Sequence, residues 1–161
     1  MIAQRARSTV TSLDEIIWAV NPKNDNLPRF AEYLCRLAEE LFENSPTRCF
    51  REAPASLPPT PMRAEVRHNL TLAVKEALTN TLRHAQATQV RLSLGWSDPH
   101  LEIVVQDNGC GFDPGAIADR GNGLANQVAR LHKLGGTVEL DTKPGWGTKT
   151  VFRVRLDEAS D

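Results

Sequence analysis

One strand and the turn after it constrain the fold more than any other stretch of this sequence. The segment HLEIVVQD, residues 100–107, has the apolar run of a buried strand, and NGCGF follows it at once. The preceding segment QVRLSL, residues 89–94, alternates as a half-buried strand does, and GWSDP between the two is typical of a turn. We therefore predict a hairpin whose second strand ends at Asp107, with Gly109 and Gly111 in the loop beyond it.

The patterns on both sides of this hairpin predict an α+β domain. Apolar residues at helical spacing indicate helices over about residues 63–85 and 124–134, the second stopped by Gly135 and Gly136. TVELD and TKTVFRVRL, joined by TKPGWG, form a second hairpin, and residues 109–123 are expected to be loop. This order of elements predicts a two-layer α/β sandwich in which helices cover one face of a mixed sheet.

Two further helical stripes precede this region. A break at NPKNDNLP separates them, because prolines interrupt helical hydrogen bonding. TRCFREA is compatible with a short strand, and the proline-rich PASLPPTP is expected to be a connector. The first stripe consists of Val10, Leu13, Ile16, Ile17 and Val20, and the second of Phe30, Leu34, Leu37, Leu41 and Phe42.

Composition excludes several classes of function. The 161 residues include 19 basic and 20 acidic ones, a net charge of -1, so we expect no nucleic-acid partner and no anionic lipid surface. Three cysteines without a Cys-x-x-Cys pair argue against a disulfide framework and a zinc site, and fit a reducing cytosol. No apolar run reaches about 18 residues, so this chain is expected not to span a membrane, although a longer parent protein could.

A polar set on the predicted helix of residues 63–85 is the first candidate site. Glu76, Asn80, Arg83 and His84 follow one another at three- and four-residue spacing, which places them along one helical face. Such a face can be an ordinary solvated surface with intrahelical pairs. It can also bind metal and phosphate, because Asn80 offers a neutral oxygen to Mg²⁺ and Glu76 could orient or deprotonate a nucleophile.

The DNGCG segment is the second candidate. It could be only a tight turn in which Asp107 caps the backbone and the glycines take positive φ. Alternatively, Asp107 accepts a hydrogen bond from an exocyclic amine such as adenine N6, and Gly109 and Gly111 let a flat base approach the backbone. A carboxylate there would reject guanine, which presents a carbonyl oxygen at that position.

Two glycine motifs complete the set. RGNGLANQ places Gly121 and Gly123 before a helix, where free backbone N–H groups suit phosphate. It is not the dinucleotide fingerprint, since Asn126 stands in place of the third glycine, and the chain has no Gly-Lys-Ser/Thr of a Walker loop. GWGT ends with Thr148, the first residue of the last predicted strand. Taken alone, this segment indicates only a hairpin turn.

Together, these segments resemble the nucleotide-binding domain of the GHKL ATPases, a superfamily that includes gyrase, a heat-shock chaperone, the mismatch-repair ATPase and sensor histidine kinases. KEALTNTLRHAQATQV, DNGCGF, GNGLANQVARLHKLGG and GWGTKTVFRV look like the N, G1, G2 and Gly-Thr boxes of bacterial two-component histidine kinases, over about residues 63–156. The resemblance implies the Bergerat fold, with ATP and Mg²⁺ as cofactors.

The resemblance also implies roles for single residues. Asn80 would hold Mg²⁺, Glu76 would assist the nucleophile, and Thr148 would support Asp107 from the neighbouring strand. A mobile lid of about residues 112–122 would cover the nucleotide. The family commonly has lysine where this chain has Arg83, which keeps the charge but changes the donor geometry. The implied ATP-binding set is Asn80, Arg83, His84, Asp107, Gly109, Gly111, Phe112, Gly121, Asn122, Gly123, Leu124 and Thr148.

The N-terminal part resembles histidine kinases of the short-lid type. SLDEIIWAVNPKNDNLPRFAEYL looks like the second helix of their dimerisation and phosphotransfer region, which predicts a boundary between residues 1–24 and 25–161 and a homodimer in the full protein. No histidine precedes His68, so the phosphoacceptor histidine is expected to lie outside this chain. The resemblance then implies transfer of the γ-phosphoryl group to that histidine, relay to a response regulator, and a cytoplasmic location, either free or at the end of a membrane-bound sensor.

Two alternatives remain open. A serine kinase of the anti-sigma-factor type shares the nucleotide boxes, although LDEIIWAVNP argues against it. A nucleotide-gated interaction module would bind ATP without phosphotransfer, and the presence of Glu76 argues weakly against that. A DNA-linked ATPase of the gyrase kind is disfavoured by the short chain and the lack of a basic face.

Overall fold

The computed structural model describes residues 13, 14, 16–18, 20–117 and 123–157. A 3₁₀ turn at Pro22–Asn24 precedes the helices and strands of the domain. In chain order these are α1 (Leu27–Phe42), β1 (Arg48–Glu52), α2 (Ala64–Asn80), a π turn (Thr81–Ala85), β2 (Gln89–Ser97), β3 (His100–Asp107), α3 (Pro114–Ile117), α4 (Gly123–Lys133), β4 (Thr137–Thr142) and β5 (Thr148–Arg155).

The strands form one mixed sheet in the order β1-β2-β3-β5-β4. Strand β1 pairs with β2 in parallel, and the other pairs are antiparallel. The register places Asp107 opposite Val90 on one side and Thr148 on the other. Asp107 therefore ends a central strand, and the predicted α+β sandwich is confirmed.

Alternation along the central strands explains why helices cover one face. In β3, Leu101, Ile103 and Val105 are buried, while the residues between them are half-buried or exposed. The helices bring their apolar stripes to this face and close a single core. Fully buried side chains of this core include Phe30, Leu34, Leu70, Val74, Leu92, Ile103, Leu131 and Phe152.

The predicted helix of residues 63–85 has two geometries. It is α-helical over Ala64–Asn80 and then makes one π turn over Thr81–Ala85. A π turn closes its hydrogen bonds one residue later than an α-helix, so the angular positions of Arg83 and His84 differ from those in an ideal α-helix. Their placement on the face of Glu76 and Asn80 stays a prediction.

The N-terminal helical segment, described at residues 13, 14, 16–18 and 20, packs on the domain through Trp18. This ring stacks on Tyr33 with the centroids 3.8 Å apart. The buried guanidinium of Arg67 donates to the carbonyls of Met62 and Asn21, and its burial lowers its pKa. The predicted stripe points elsewhere: Leu13, Ile16, Ile17 and Val20 are exposed by 54, 47, 60 and 60%, and Val10 lies outside the described residues.

Two loop predictions need correction. Residues 109–123 are not all loop, because the short helix Pro114–Ile117 begins after Asp113, whose carboxylate accepts from Gly115 N at 2.9 Å. In the first hairpin, Gly95 to Ser97 belong to β2, and only Asp98 and Pro99 form the turn. Within the described ranges, no helix is both long and apolar enough to cross a bilayer.

The cysteines give a prediction for thiol chemistry. Burial raises the pKa of the Cys35 and Cys49 thiols, partly offset by nearby Arg51, whereas Cys110 is exposed. At pH 8 we expect Cys110 to react with iodoacetamide at least about tenfold faster than the other two, because only thiolate reacts and access is required. Mass spectrometry of timed samples measures the rates. A fast phase that survives in Cys110→Ser would contradict this assignment.

Candidate functional site

The Asp107 carboxylate is buried and held by two donors. The Thr81 hydroxyl donates to Oδ2 at 2.9 Å, and the backbone N–H of Gly109 donates to Oδ1 at 2.8 Å. Asp107 is 6% exposed and Thr81 is 4% exposed. Each carboxylate oxygen keeps a further lone pair, so the group can still accept a hydrogen bond from a ligand.

The DNGCG loop lies directly against the π turn. The N–H of Cys110 donates to the Ala85 carbonyl at 2.7 Å. A Cβ added to Gly109 would lie 2.2 Å from the same carbonyl oxygen. The absent side chain at Gly109 therefore makes room for the π turn, and the approach of a base to this backbone stays a prediction.

The far side of the loop lies against the turn between β4 and β5. Gly111 has φ +59°, and a Cβ there would be 2.0 Å from the Lys143 carbonyl oxygen. The N–H of Phe112 donates to the Thr142 hydroxyl at 3.2 Å, and that hydroxyl lies 2.9 Å from the Gly147 carbonyl. The predicted G1 and Gly-Thr segments are thus in direct contact.

Thr148 has a different partner from the one predicted. It pairs with Asp107 in the ladder between β3 and β5, but its hydroxyl lies 3.0 Å from that of Thr142. The threonine that binds the Asp107 carboxylate is Thr81. Thr148 therefore orders the turn that supports the loop.

The start of α4 lies against the acid of α2. A Cβ added to Gly123 would be 2.8 Å from Glu76 Oε1, and Glu76 itself is half-buried. The backbone N–H groups at the start of α4 are those that would approach a phosphate. The N and G2 segments therefore meet at Glu76 and Gly123.

The remaining predicted residues lie mostly at the surface. Asn80, Arg83, His84 and Leu124 are exposed, and Phe112 is half-buried. Gly121 and Asn122 lie outside the described residues, as does the predicted lid after residue 117. The structure brings together the segments of Asp107, Gly109, Gly111 and Thr148 on one side, and those of Glu76 and Gly123 on the other.

The Asn80 side chain fits a role as a ligand of a magnesium ion that is bound together with a nucleotide. The Asn80 side chain makes no capping hydrogen bond to the following turn, and it is exposed, so its amide oxygen is available. Among the described residues, no three carboxylates, histidines or cysteines form a metal cluster. A cation here would take most of its ligands from phosphate and water, which Mg²⁺ commonly does.

Three side chains that the motif analysis did not single out organise the site. Thr81 and Thr142 bind the acid and the turn, as above. Asn108 accepts from the N–H groups of Thr88 and Gln89 at 3.0 and 2.9 Å and fixes the start of β2. Asparagine after a strand end is a usual turn signal, but no spacing in the sequence indicates that the Thr81 hydroxyl binds Asp107, 26 residues further on.

An open cavity of about 530 Å³ lies outside the predicted site. It is between the end of α1 and the π turn, and of the residues at Asp107 it shares only Thr81. A second one, about 200 Å³, lies beside Asp107 on the strands β2 and β3. The larger cavity is lined partly by the N-box segment, but by none of the predicted site residues; its N-box residues are Thr81, Leu82, Gln86, Ala87 and Thr88.

Comparison with known proteins decides the family. Residues 65–160 match the family described as Histidine kinase-, DNA gyrase B-, and HSP90-like ATPase. The chain belongs to this ATPase family. The family predicted from the four motifs is confirmed, and membership implies ATP as the ligand.

Several relatives are named as sensor kinases. The sensor-type histidine kinase PrrB of Mycobacterium leprae is 31% identical over 171 residues, which cover 93% of this chain and 37% of that protein. An uncharacterized sensor-like histidine kinase of Chloroflexus aurantiacus is 40% identical over 90 residues, covering 52% of this chain and 15% of that protein. The chain thus spans well under half the length of these relatives.

Solved structures confirm the fold. The histidine kinase domain of the blue-light activated histidine kinase EL346 of Erythrobacter litoralis superposes with a TM-score of 0.66 at 20% identity, covering 79% of this chain and 61% of that one. The histidine kinase AdeS of Acinetobacter baumannii gives a TM-score of 0.64 at 13% identity, covering 96% of this chain and 80% of that one.

Proposed function

We propose that this chain is the ATP-binding catalytic part of a sensor histidine kinase. It binds Mg-ATP. In the full protein, the γ-phosphoryl group of ATP is transferred to a histidine of the dimerisation region and from there to a response regulator. The observation that carries the proposal is the buried Asp107 carboxylate, held at both oxygens at the end of β3, within a domain of this ATPase family. A fixed acceptor there suits an exocyclic amine such as adenine N6.

Four residues are proposed to act on the phosphates and form the phosphate end of the site: Glu76, Asn80, Arg83 and His84. Bound Mg²⁺ would neutralise charge on the phosphates, with Asn80 as its protein ligand. Arg83 and His84, exposed on the π turn, would donate to phosphate oxygens, and Glu76 would orient the nucleophile. Phosphoryl transfer depends mainly on positioning and charge stabilisation, which such a set supplies.

The N-terminal segment supports a boundary near residue 25 and a homodimer. From Asp25 onward the chain is tied to the connector, since Leu27 N donates to Thr60 O at 2.9 Å and Met62 N to Asp25 O at 2.6 Å. Before it, the exposed stripe of Leu13, Ile16, Ile17 and Val20 suits a pairing helix. Residues 1–24 would then belong to the dimerisation region. The free cysteines suit a cytoplasmic location.

The metal assignment predicts the effect of Asn80→Ala. Calorimetric titration with ATP should show that Mg²⁺ strengthens binding to the wild type and has little effect on the variant, because the variant lacks the amide oxygen that would hold the ion. The expected loss in Mg-ATP affinity is about 10- to 100-fold, the range that loss of a single metal-site group typically costs. Asn69→Ala, on the same helix, serves as the control. Unchanged magnesium dependence in Asn80→Ala would contradict the assignment.

Phosphotransfer itself is tested with ATP labelled at the γ-phosphate. The chain alone is expected to acquire no acid-labile phosphate, and label should appear when a helical region carrying the acceptor histidine is supplied. Stable phosphohistidine on this chain alone would overturn the placement of the acceptor outside it. Acid-stable phosphoserine on a separate protein would favour the serine-kinase alternative.

A further inference from the structure

We propose that Thr81 is a positioning residue that orients the Asp107 carboxylate for recognition of the adenine amine. The inference deepens the proposed function and rests on it. The motifs imply no role for Thr81. Its hydroxyl donates a hydrogen bond to Oδ2 of Asp107 at 2.9 Å.

The need for such a donor follows from the chemistry of aspartate. The terminal torsion of an aspartate side chain is broad, so the carboxylate plane is not fixed by rotamer preference. Here Thr81 binds one oxygen and the Gly109 N–H binds the other. Two donors on two different oxygens fix the plane, and each oxygen keeps a lone pair for a ligand. A fixed acceptor binds more tightly than one that must be ordered by the ligand.

The hydroxyl of Thr81 has a second possible acceptor, and the comparison favours Asp107. The Ala77 carbonyl lies 3.3 Å from Thr81 Oγ1, against 2.9 Å for the carboxylate. A hydroxyl has one proton, and a charged acceptor makes the shorter and stronger hydrogen bond. Both side chains are buried, so the packing around them holds the donor and the acceptor in place.

The π turn starts where α2 ends, and Thr81 itself still has α-helical geometry, with its N–H donating to the Ala77 carbonyl. The turn begins at Thr81 and ends at Ala85, and these two residues hold the DNGCG loop at two points: Thr81 binds Asp107, and the Ala85 carbonyl accepts from Cys110 N at 2.7 Å. Asn80, the proposed magnesium ligand, is the adjacent residue. One irregular turn therefore joins the base end of the site to the phosphate end.

The test compares two nucleotides and matched threonine variants. Affinities of Mg-ATP and of Mg-purine riboside triphosphate, which lacks the 6-amino group, are measured by calorimetry for the wild type, Thr81→Val and Thr81→Ser. Thr71→Val is the control, because Thr71 is a buried threonine of the same helix, and among the described residues its hydroxyl has no hydrogen-bond partner. Thermal melting of each variant, and of Thr81→Ala if Thr81→Val does not fold, establishes that the domain is intact.

The expected result is a loss that depends on the amine. Thr81→Val should weaken ATP binding about tenfold and purine riboside triphosphate binding less than about twofold, while Thr81→Ser and Thr71→Val stay near wild type. An equal loss for both nucleotides, or no loss for ATP, overturns the inference and leaves the proposed function standing. A folded wild type that binds neither nucleotide overturns both.

Discussion

Replacing Asp107 by alanine is expected to weaken ATP binding by about 1.5–3 kcal/mol, or about 10- to 150-fold, because a charged acceptor is lost from a buried position. The change also leaves two donors, the Thr81 hydroxyl and the Gly109 N–H, without their acceptor. We therefore expect a lower unfolding free energy as well, by about 1–3 kcal/mol. Calorimetry with ATP and urea denaturation measure the two effects separately.

Asp107→Asn separates recognition from stability. Asparagine has nearly the same shape and keeps one carbonyl oxygen, but it lacks the charge and the second acceptor. Stability should fall less than in the alanine variant, while ATP binding remains weak. Asp141→Ala, an exposed acid on β4, is the control for loss of charge. Wild-type ATP affinity in a folded Asp107→Ala would contradict the assignment of the base end.

Replacing Gly147 by alanine is expected to destabilise the domain by about 3 kcal/mol or more, the largest effect on stability that we predict. Gly147 has φ +78°, and a Cβ there would lie 2.2 Å from the Asp107 carbonyl oxygen. The obstacle is backbone at the end of the central strand β3, so it cannot move aside as a flexible side chain could. Urea denaturation with a circular dichroism readout measures the change.

Gly145 offers a matched control within the same turn. It has φ +83°, but a Cβ there meets nothing within 4 Å. Gly145→Ala should therefore cost only the backbone strain, about 1–2 kcal/mol. Equal destabilisation by the two alanines would show that the close approach of Gly147 to Asp107 has no energetic weight.

The regular elements were predictable because their signals are local. Period-2 alternation in residues 89–94 and the apolar run before Asp107 gave the central hairpin, and Gly135, with φ +69°, ends α4 where the glycine pair indicated. The order of motifs then gave the family. The signals for the regular elements are each confined to a short stretch of chain, whereas the order of the motifs extends over about residues 63–156.

The contacts that organise the site were less predictable, because they join distant segments. The bond from Thr81 to Asp107 spans 26 residues, and no local pattern in the sequence indicates it. The missing side chains of Gly109 and Gly111 make room for the carbonyls of Ala85 and Lys143, a requirement that the sequence did not indicate. Whether a glycine faces a ligand or a neighbouring loop depends on the tertiary fold, and its spacing in the sequence is the same in both cases.

The exposed N-terminal stripe is another case in which the sequence did not indicate a tertiary contact. Helical spacing correctly indicated that Leu13, Ile16, Ile17 and Val20 share a face, but it could not say whether that face packs on this domain. In the structure, Trp18 makes the contact, and the stripe is left exposed.

The most direct test of the central claim is a calorimetric titration of the wild-type chain with Mg-ATP and with Mg-GTP. We expect ATP to bind and GTP to bind at least about 100-fold more weakly, because guanine would place a carbonyl oxygen against the Asp107 carboxylate and leave the carboxylate unpaired. Equal affinity for the two nucleotides, or no binding of ATP by the folded chain, would contradict it.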